Sequence, residues 1–372
     1  MKDVFDAIIE TFARGEKAAL STIVSSRGSL PMSKKAKMLV REDGTFVGTV
    51  GGGCLEADVW AEARQVMASG TPSLQRFILT EKHAGEEGLN CGGNAEIFTE
   101  PVCPGPLEEL FHRVRQLQET RGTGMLATLV SGPADTLGRK MLVTETGEQV
   151  GTLGDPLLDA RVRENKERTT GEDLLSVLYL EHHGVESRIF VEAILPAPQL
   201  VLFGGGHVSK AIARIAKTVG FRIVVVEDRP TFASPERFPE ADQLVICNFD
   251  SVIGKLAIDT ESYLVAVTRG HQWDQTIIEQ VAWTSARYIG MIGSRRKIAL
   301  MWKKLEEKGI PRPLLNRIHA PVGLDIHADT PEEIAVSVVA QLIQVRRSQG
   351  KPAHSTAEAP SDDRQLNVTP AS

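Results

Sequence analysis

The sequence predicts an α/β protein in two parts: an N-terminal α+β domain made of two related repeats, and a C-terminal doubly wound, Rossmann-like domain. Two observations predict this division. The stretch KMLVREDGTFVGTVGGGCLEADV, from Lys37, aligns without gaps on KMLVTETGEQVGTLGDPLLDARV, from Lys140, with 13 of 23 positions identical. Its flanks agree as well, LSTIVS from Leu20 with LATLVS from Leu126 and Ile97-Phe98 with Ile189-Phe190, so one helix, hairpin, helix, strand unit occurs twice. After Pro196-Ala197-Pro198 the pattern changes to short apolar runs alternating with helical ones, the order of βαβ units. At 372 residues the chain is too long for one ordinary core. It divides on these grounds into residues 1–195, with repeats at about 1–100 and 107–195, then residues 196–347, then a polar, Pro/Ala/Ser-rich stretch at 348–372 that is expected to be disordered.

Taken in order, residues 1–17 read as an amphipathic helix and residues 18–25 as a strand leading to the turn Arg27-Gly28-Ser29. KMLV-REDG-TFVG is a hairpin pattern. Gly51, Gly52 and Gly53 follow it, and without a Cβ they can take φ > 0 and come close to another molecule. Cys54 then falls near the first turn of a helix over residues 55–69, where unpaired N–H groups and the helix dipole favour an anion. A strand at 74–80, a polar loop at 81–94 containing Cys91-Gly92-Gly93, and a strand at 95–99 complete the first copy. Pro101, Pro104 and Pro106 are expected to break the chain between the copies.

The differences between the copies single out residues for function. Copy one carries 11 extra residues between Gly51 and Ile97, around Cys91-Gly92-Gly93, and in copy two Gly52-Gly53-Cys54 has become Asp155-Pro156-Leu157. Positions that both copies share are accounted for by the fold. The glycine-flanked Cys54 and Cys91 are not shared, and a ligand site accounts for them better than tight turns around small buried thiols. Cys103, in the proline-rich join, and Cys247, closing an apolar strand, are read as structural.

In the C-terminal part, residues 200–203 form a short buried strand, 204–209 a turn, 210–219 a helix closed by Gly220, and 222–226 a second buried strand ending in Glu227-Asp228. Gly204 allows the tight turn and Gly206 the close approach of a phosphate, while Ser209 stands where a third glycine would be. Glu227 lies about where a ribose-binding acid is expected in a dinucleotide fold. Strands at 244–247, 264–267 and 288–292 follow, each running into polar residues: Asn248 and Asp250; Arg269, Gly270, His271 and Asp274; Gly293, Ser294, Arg295 and Arg296. In an open parallel sheet these loops share the carboxyl edge, where ligands bind. Thr330, Pro331 and Glu333 then spell the capping box of a last helix that runs to about Arg347.

Composition narrows the function classes. A net charge of −6 gives no electrostatic reason for nucleic acid or an anionic membrane as partner. No apolar run approaches a membrane span, and the N-terminal residues read as an amphipathic helix rather than a signal peptide, so a cytoplasmic protein is expected. Four cysteines in so long a chain are free thiols or ligands rather than a disulfide framework.

These segments together carry a resemblance. GGGCLE at Gly51, CGG at Cys91, GGGHVSKAIARIA at Gly204, VEDRPTFA at Val226, VTRGHQWD at Val267, YIGMIGSRRK at Tyr288 and HAPVGLDI at His319 are similar, in this order, to the XdhC/CoxI family of accessory proteins for molybdenum hydroxylases such as xanthine dehydrogenase. The resemblance implies a maturation factor. It would bind the molybdenum cofactor (molybdopterin), keep it while a cysteine desulfurase helps to replace an oxo ligand by sulfur, and pass it to the hydroxylase apoenzyme. On that reading Gly51, Gly52, Gly53 and Cys54, with Cys91, Gly92 and Gly93, face the metal or the transferred sulfur, since thiolates suit soft metals and carry sulfur as persulfides. Gly204, Gly206 and His207, with Glu227, Asp228, Arg269, His271 and Arg295, would receive a phosphate, the pterin or a nucleotide such as NAD(P). The rival is an NAD(P)-dependent oxidoreductase with a separate substrate domain, supported by Gly204, Gly206 and Glu227. It lacks a clear proton donor for hydride transfer and leaves both cysteine loops unused, as would a pure scaffold, so a cofactor chaperone is expected rather than a turnover enzyme. A homodimer is expected only because closed twofold assemblies are common.

Overall fold

The computed structural model describes residues 4–27, 36–78, 93–165, 175–182, 184–269 and 271–348. In the first copy α1 (Val4–Ala13) precedes β1 (Ala18–Arg27), the hairpin of β2 (Lys37–Arg41) and β3 (Phe46–Gly48), α2 (Gly53–Ser69), β4 (Ser73–Ile78) and β5 (Asn94–Val102). These five strands form an antiparallel sheet in the order β3-β2-β1-β5-β4. The second copy runs α3 (Glu108–Thr120), β6 (Gly124–Ser131), β7 (Lys140–Thr144), β8 (Gln149–Gly151), α4 (Pro156–Glu164), β9 (Leu175–His182) and β10 (Val185–Ile194). Its sheet has the matching order β8-β7-β6-β10-β9, so the sequence repeat is one fold built twice. Gly48 and Gly151 are equivalent positions held by the same constraint: φ is 87° and 79°, and an added Cβ would lie 2.2 Å from Lys37 O and 2.5 Å from Lys140 O.

Two expectations are corrected. The strand expected at 95–99 runs on through Pro101 to Val102. β4 pairs only as far as Thr99, so Pro101 sits on what has become an edge, where a missing N–H costs no ladder bond. The helix expected from residue 55 begins at Gly53, which brings Cys54 into its first turn.

The two sheets face each other. Val24, Phe98, Val130 and Phe190 pack between them, and charge is exchanged reciprocally. Lys37 of copy one donates to Glu192 of copy two at 2.7 Å, while Lys140 of copy two pairs with Glu100 of copy one at 2.7 Å. Under the repeat alignment these are the same pair seen from either side of a pseudo-twofold axis, and Glu96 and Arg188, again equivalent positions, meet across it at 2.6 Å. Burial pushes the Glu100 carboxyl above its ordinary range despite the two lysines. The buried strands β1 and β6, covered by helix on one face and by the other sheet on the second, are therefore near-continuous apolar runs.

The remaining strands form a parallel sheet. β11 (Gln199–Phe203), α5 (His207–Thr218), β12 (Arg222–Glu227), β13 (Gln243–Ile246), β14 (Ser262–Ala266), α6 (His271–Val281), β15 (Tyr288–Met291), α7 (Arg295–Glu307), α8 (Arg312–Asn316), β16 (Ile318–His319) and α9 (Pro331–Arg347) follow in sequence. The strand order is β13-β12-β11-β14-β15-β16. α5 and α9 cover one face and α6 and α7 the other, each over its own apolar core. The order reverses at β11, which makes the crevice between β11 and β14 the topological switch point. α9 starts as the sequence spells it: Thr330 Oγ1 accepts from Glu333 N–H at 3.3 Å, and Glu333 accepts from Thr330 N–H at 3.1 Å. Arg121 ties the halves together, donating to both oxygens of Asp259 at 2.9 and 2.7 Å and to Ala197 O at 3.1 Å. Among the described residues no helix is long and apolar enough to cross a membrane.

Candidate functional site

The expected residues gather at two places. The first is the start of α2. In both copies a threonine and an acid brace this loop: Thr49 donates to Glu56 in copy one, and Thr152 donates to Asp159 at 2.7 Å in copy two. Gly51 N–H reaches Thr49 Oγ1 at 3.3 Å, as Gly154 N–H reaches Thr152 Oγ1 at 3.0 Å. Past this shared brace the copies diverge. In copy two Asp155 caps its own helix, accepting from Leu157 N–H at 2.8 Å, and Pro156 fills the first helical position. In copy one the cap residue is Gly52, with no side-chain bond.

Gly51, Gly52 and Gly53 take φ of 144°, 73° and 62°, a run only glycine sustains. A Cβ on Gly52 or Gly53 would meet no atom within 4 Å, and Cys54 is exposed. An open helix N-terminus, backbone N–H groups and an accessible thiol are thus presented together, with no neighbour among the described residues filling the space. Of the second cysteine loop, Cys91 and Gly92 lie outside the described residues, and Gly93 is buried just before β5.

The second place is the carboxyl edge of the parallel sheet at the switch point, where three loops interlock. Gly204 N–H donates to Val226 O at 2.7 Å, and a Cβ on Gly204 would lie 2.7 Å from Val267 O. Gly205 N–H donates to Glu227 Oε2 at 2.6 Å, Arg229 Nε donates to Glu227 Oε1 at 2.8 Å, and Arg237 Nε donates to Gly205 O at 3.0 Å. Glu227 is 2% exposed, so its carboxylate is spent inside the loop system. Asp228, beside it, is partly exposed; its carboxyl is held below the ordinary range first by a hydrogen bond with Glu227 and also by Arg229. Asp274, buried in α6, accepts from Thr268 N–H at 3.2 Å and from Thr268 Oγ1 at 2.6 Å, and so fixes the loop that carries Arg269.

Around the ring of Phe232 stand three guanidinium groups, those of Arg229, Arg269 and Arg237, at 3.7, 4.9 and 5.3 Å from its centroid. Gly206, the cap of α5, has open space where a Cβ would be, and His207 is exposed at the first helical position. Of His271 only the backbone, at the start of α6, is described. Arg295 stands apart from these contacts: its side chain is 88% exposed, 3.9 Å from Asp325, at the start of α7. Arg229, Phe232 and Arg237 were given no role by the sequence; the signal for them is the pair of arginines within ten positions after the acid that closes β12. Among the described residues no group of three or more His, Cys, Asp or Glu is placed to hold a metal ion. Burial raises the Cys247 thiol and lowers the imidazole of His319, which stacks on Tyr288 at 4.5 Å.

Family models place this geometry. The one described as XdhC Rossmann domain matches residues 200–342, and the one described as XdhC and CoxI family matches residues 12–77 and 117–172. The chain belongs to the XdhC/CoxI family. A relative in Bacillus subtilis (strain 168), named as a probable subunit of xanthine dehydrogenase, is 31% identical over 350 residues, covering 92% of this chain and 97% of its own. The molybdenum cofactor insertion chaperone PaoD of Escherichia coli (strain K12) is 25% identical, over 92% of this chain and 87% of its own. A crystal structure described as a xanthine dehydrogenase from Bacillus halodurans superimposes with a TM-score of 0.74 at 27% identity, covering 96% of this chain and 98% of that one. The glycine loop before Cys54 lies inside the family segment at 12–77, and the arginine cluster inside the Rossmann segment.

Proposed function

We propose that this chain binds the molybdenum cofactor, holds it while an oxo ligand is exchanged for sulfur with the help of a cysteine desulfurase, and delivers it to a molybdenum hydroxylase apoenzyme. The observation that carries this reading is the divergence of the two copies at one helix start: copy two closes it with Asp155 and Pro156, whereas copy one leaves it open behind three glycines and an exposed Cys54. A fold that needs only a cap has one in copy two, so the open version serves a ligand. The cofactor is cargo with a phosphate, a hydrogen-bonding pterin and a soft metal centre, and the chain's part is to offer N–H groups to an anion and thiols to the metal or sulfur. The names of the relatives support a role in molybdenum-enzyme maturation.

In this reading Cys54 and Cys91 serve the metal or sulfur end, and Gly204, Gly206, His207, Arg269 and His271 serve the phosphate or pterin end. Residues 1–195 and 196–347 act as the two domains, the chain works in the cytoplasm, and two chains form a twofold dimer. The test is to purify the chain, measure molybdenum and pterin per chain, and then supply a hydroxylase apoenzyme. Hydroxylase activity should appear in proportion to apoenzyme, and no multiple turnover of alcohols, hydroxy acids or aldehydes with NAD or NADP should occur without it. Steady nicotinamide turnover by the chain alone refutes the carrier in favour of the oxidoreductase.

A further inference from the structure

The crevice at the switch point has the fold of a dinucleotide site but not its chemistry. In such a site the acid closing the second strand accepts from the ribose hydroxyls. Here that acid is Glu227, which is 2% exposed and turned into the loop, one oxygen accepting from Gly205 N–H at 2.6 Å and the other from Arg229 Nε at 2.8 Å. The segment after β12 also folds back on the loop: a Cβ on Gly205 would lie 2.1 Å from the Phe232 carbonyl oxygen. Gly205 is thus pressed against the backbone of the segment that follows β12.

What remains open beside this closure is cationic. Arg229, Arg237 and Arg269 converge on one phenyl ring against the two carboxylates of Glu227 and Asp228, and Arg269 has no ion-pair partner among the described residues. The uncapped N-terminus of α5 adds its dipole. Gly206 has φ −74° and ψ −177°, extended backbone that any residue adopts, and nothing among the described residues lies within 4 Å of its Cβ position. Neither conformation nor packing asks for glycine there, which leaves room for an approaching ligand as the physical reason. In the same first turn Ser209 is fully buried and its hydroxyl has no hydrogen-bond partner among the described residues, an unmet bond at the foot of the loop.

We propose that the Gly204 to Ser209 loop, with Arg269 and the Phe232-stacked Arg229 and Arg237, is a receptor for a terminal phosphate monoester and excludes dinucleotides such as NAD, whose phosphates are all internal. A monoester carries nearly two charges and three terminal oxygens, enough to face the helix N–H groups and a guanidinium at once. The internal diphosphate of a dinucleotide spreads its charge over two phosphorus atoms and must continue on both sides into riboses, one of which meets the closed Glu227 corner. This rests on the geometry of the Rossmann half and stands whether or not the cargo contains molybdenum.

The experiment is calorimetric titration of the full chain with phenyl phosphate and, separately, with ADP-ribose, repeated with Gly206→Val and Arg269→Ala. Phenyl phosphate should bind saturably and more weakly as salt is raised, and each substitution should weaken it by about tenfold or more while leaving the melting temperature within about 2 °C of the parent. ADP-ribose should bind no more tightly than phenyl phosphate. Absence of saturable phenyl phosphate binding, equal affinity in both variants, or tighter binding of ADP-ribose overturns the proposal. Neither probe contains pterin or metal, so these results are separate from whether molybdenum cofactor is carried and delivered.

Discussion

Transplanting the helix start of copy two into copy one, by Gly52→Asp with Gly53→Pro, should make the protein more stable and less able to hold its cargo. Asp155, the residue being copied, sits at φ −135° and caps through Leu157 N–H at 2.8 Å, with Pro156 at the first helical position. A side-chain cap contributes about 1 kcal/mol. Removing two glycines from the unfolded chain adds about 0.4–1 kcal/mol each. Against this, residues 52 and 53 must leave φ of 73° and 62°, which aspartate and proline do not sustain, for the conformation of copy two. Among the described residues no atom lies within 4 Å of either Cβ position, so the first side-chain atom added at each has room. The net expectation is a gain of about 1–2 kcal/mol, roughly 2–6 °C in melting temperature by calorimetry. Molybdenum and pterin per chain should fall by about tenfold, because the new aspartate takes up the residue 54 N–H and proline removes that of residue 53, two of the donors offered to the anion. A stabilised variant that retains and transfers cofactor like the parent refutes the site. A variant less stable by more than about 2 kcal/mol refutes the claim that the fold has no need of these glycines.

Lys140→Met strands the fully buried Glu100 carboxylate and should cost about 3–5 kcal/mol in urea unfolding, with Glu100→Gln in the same chain recovering at least half. A carboxyl whose folded pKa is raised stabilises below its unfolded value near 4.5 and loses that contribution as pH climbs, so the Lys140→Met penalty should be larger at pH 8 than at pH 5. Gly205→Ala forces a Cβ to within 2.1 Å of the Phe232 carbonyl oxygen; it should lower stability by about 1–3 kcal/mol, whereas Gly206→Ala should leave it unchanged or slightly raised. Cys54→Ala and Cys91→Ala should each impair cofactor retention or delivery to a hydroxylase apoenzyme while Cys103→Ala does neither; reconstitution at the parent rate by both site variants would disprove the thiol role.

The duplication was legible because copies of one fold keep the residues that the fold itself demands. Gly48 and Gly151 are each pressed against the carbonyl of the lysine that opens the preceding strand, and Thr49 and Thr152 make the same brace. What differs between the copies therefore marks Gly52, Gly53 and Cys54 in the sequence alone. The βαβ order and the capping box of α9 were legible for a related reason: they are local, set by glycine, proline and side-chain caps within a few residues of one another. The loop around Cys91 was equally visible in the sequence, but Cys91 and Gly92 lie outside the described residues.

Only the tertiary structure decided what depends on residues far apart in the chain. Lys37 and Glu192 are 155 positions apart, and nothing local to either says that a buried lysine will find its carboxylate on the other copy. Pro101 reads as a break because the sequence does not say that β4 has already ended beside it. Glu227 stands where a ribose acid is expected, yet whether its oxygens face a ligand or Gly205 and Arg229 depends on how the segment at 229–233 folds back. The sequence by itself determined the repeat, the parallel sheet and the odd helix start, since periodicity, caps and glycine positions act over short range. The closed corner at Glu227, the arginines on Phe232 and the reciprocal charges between the sheets were settled by packing, which joins groups that the chain order keeps apart.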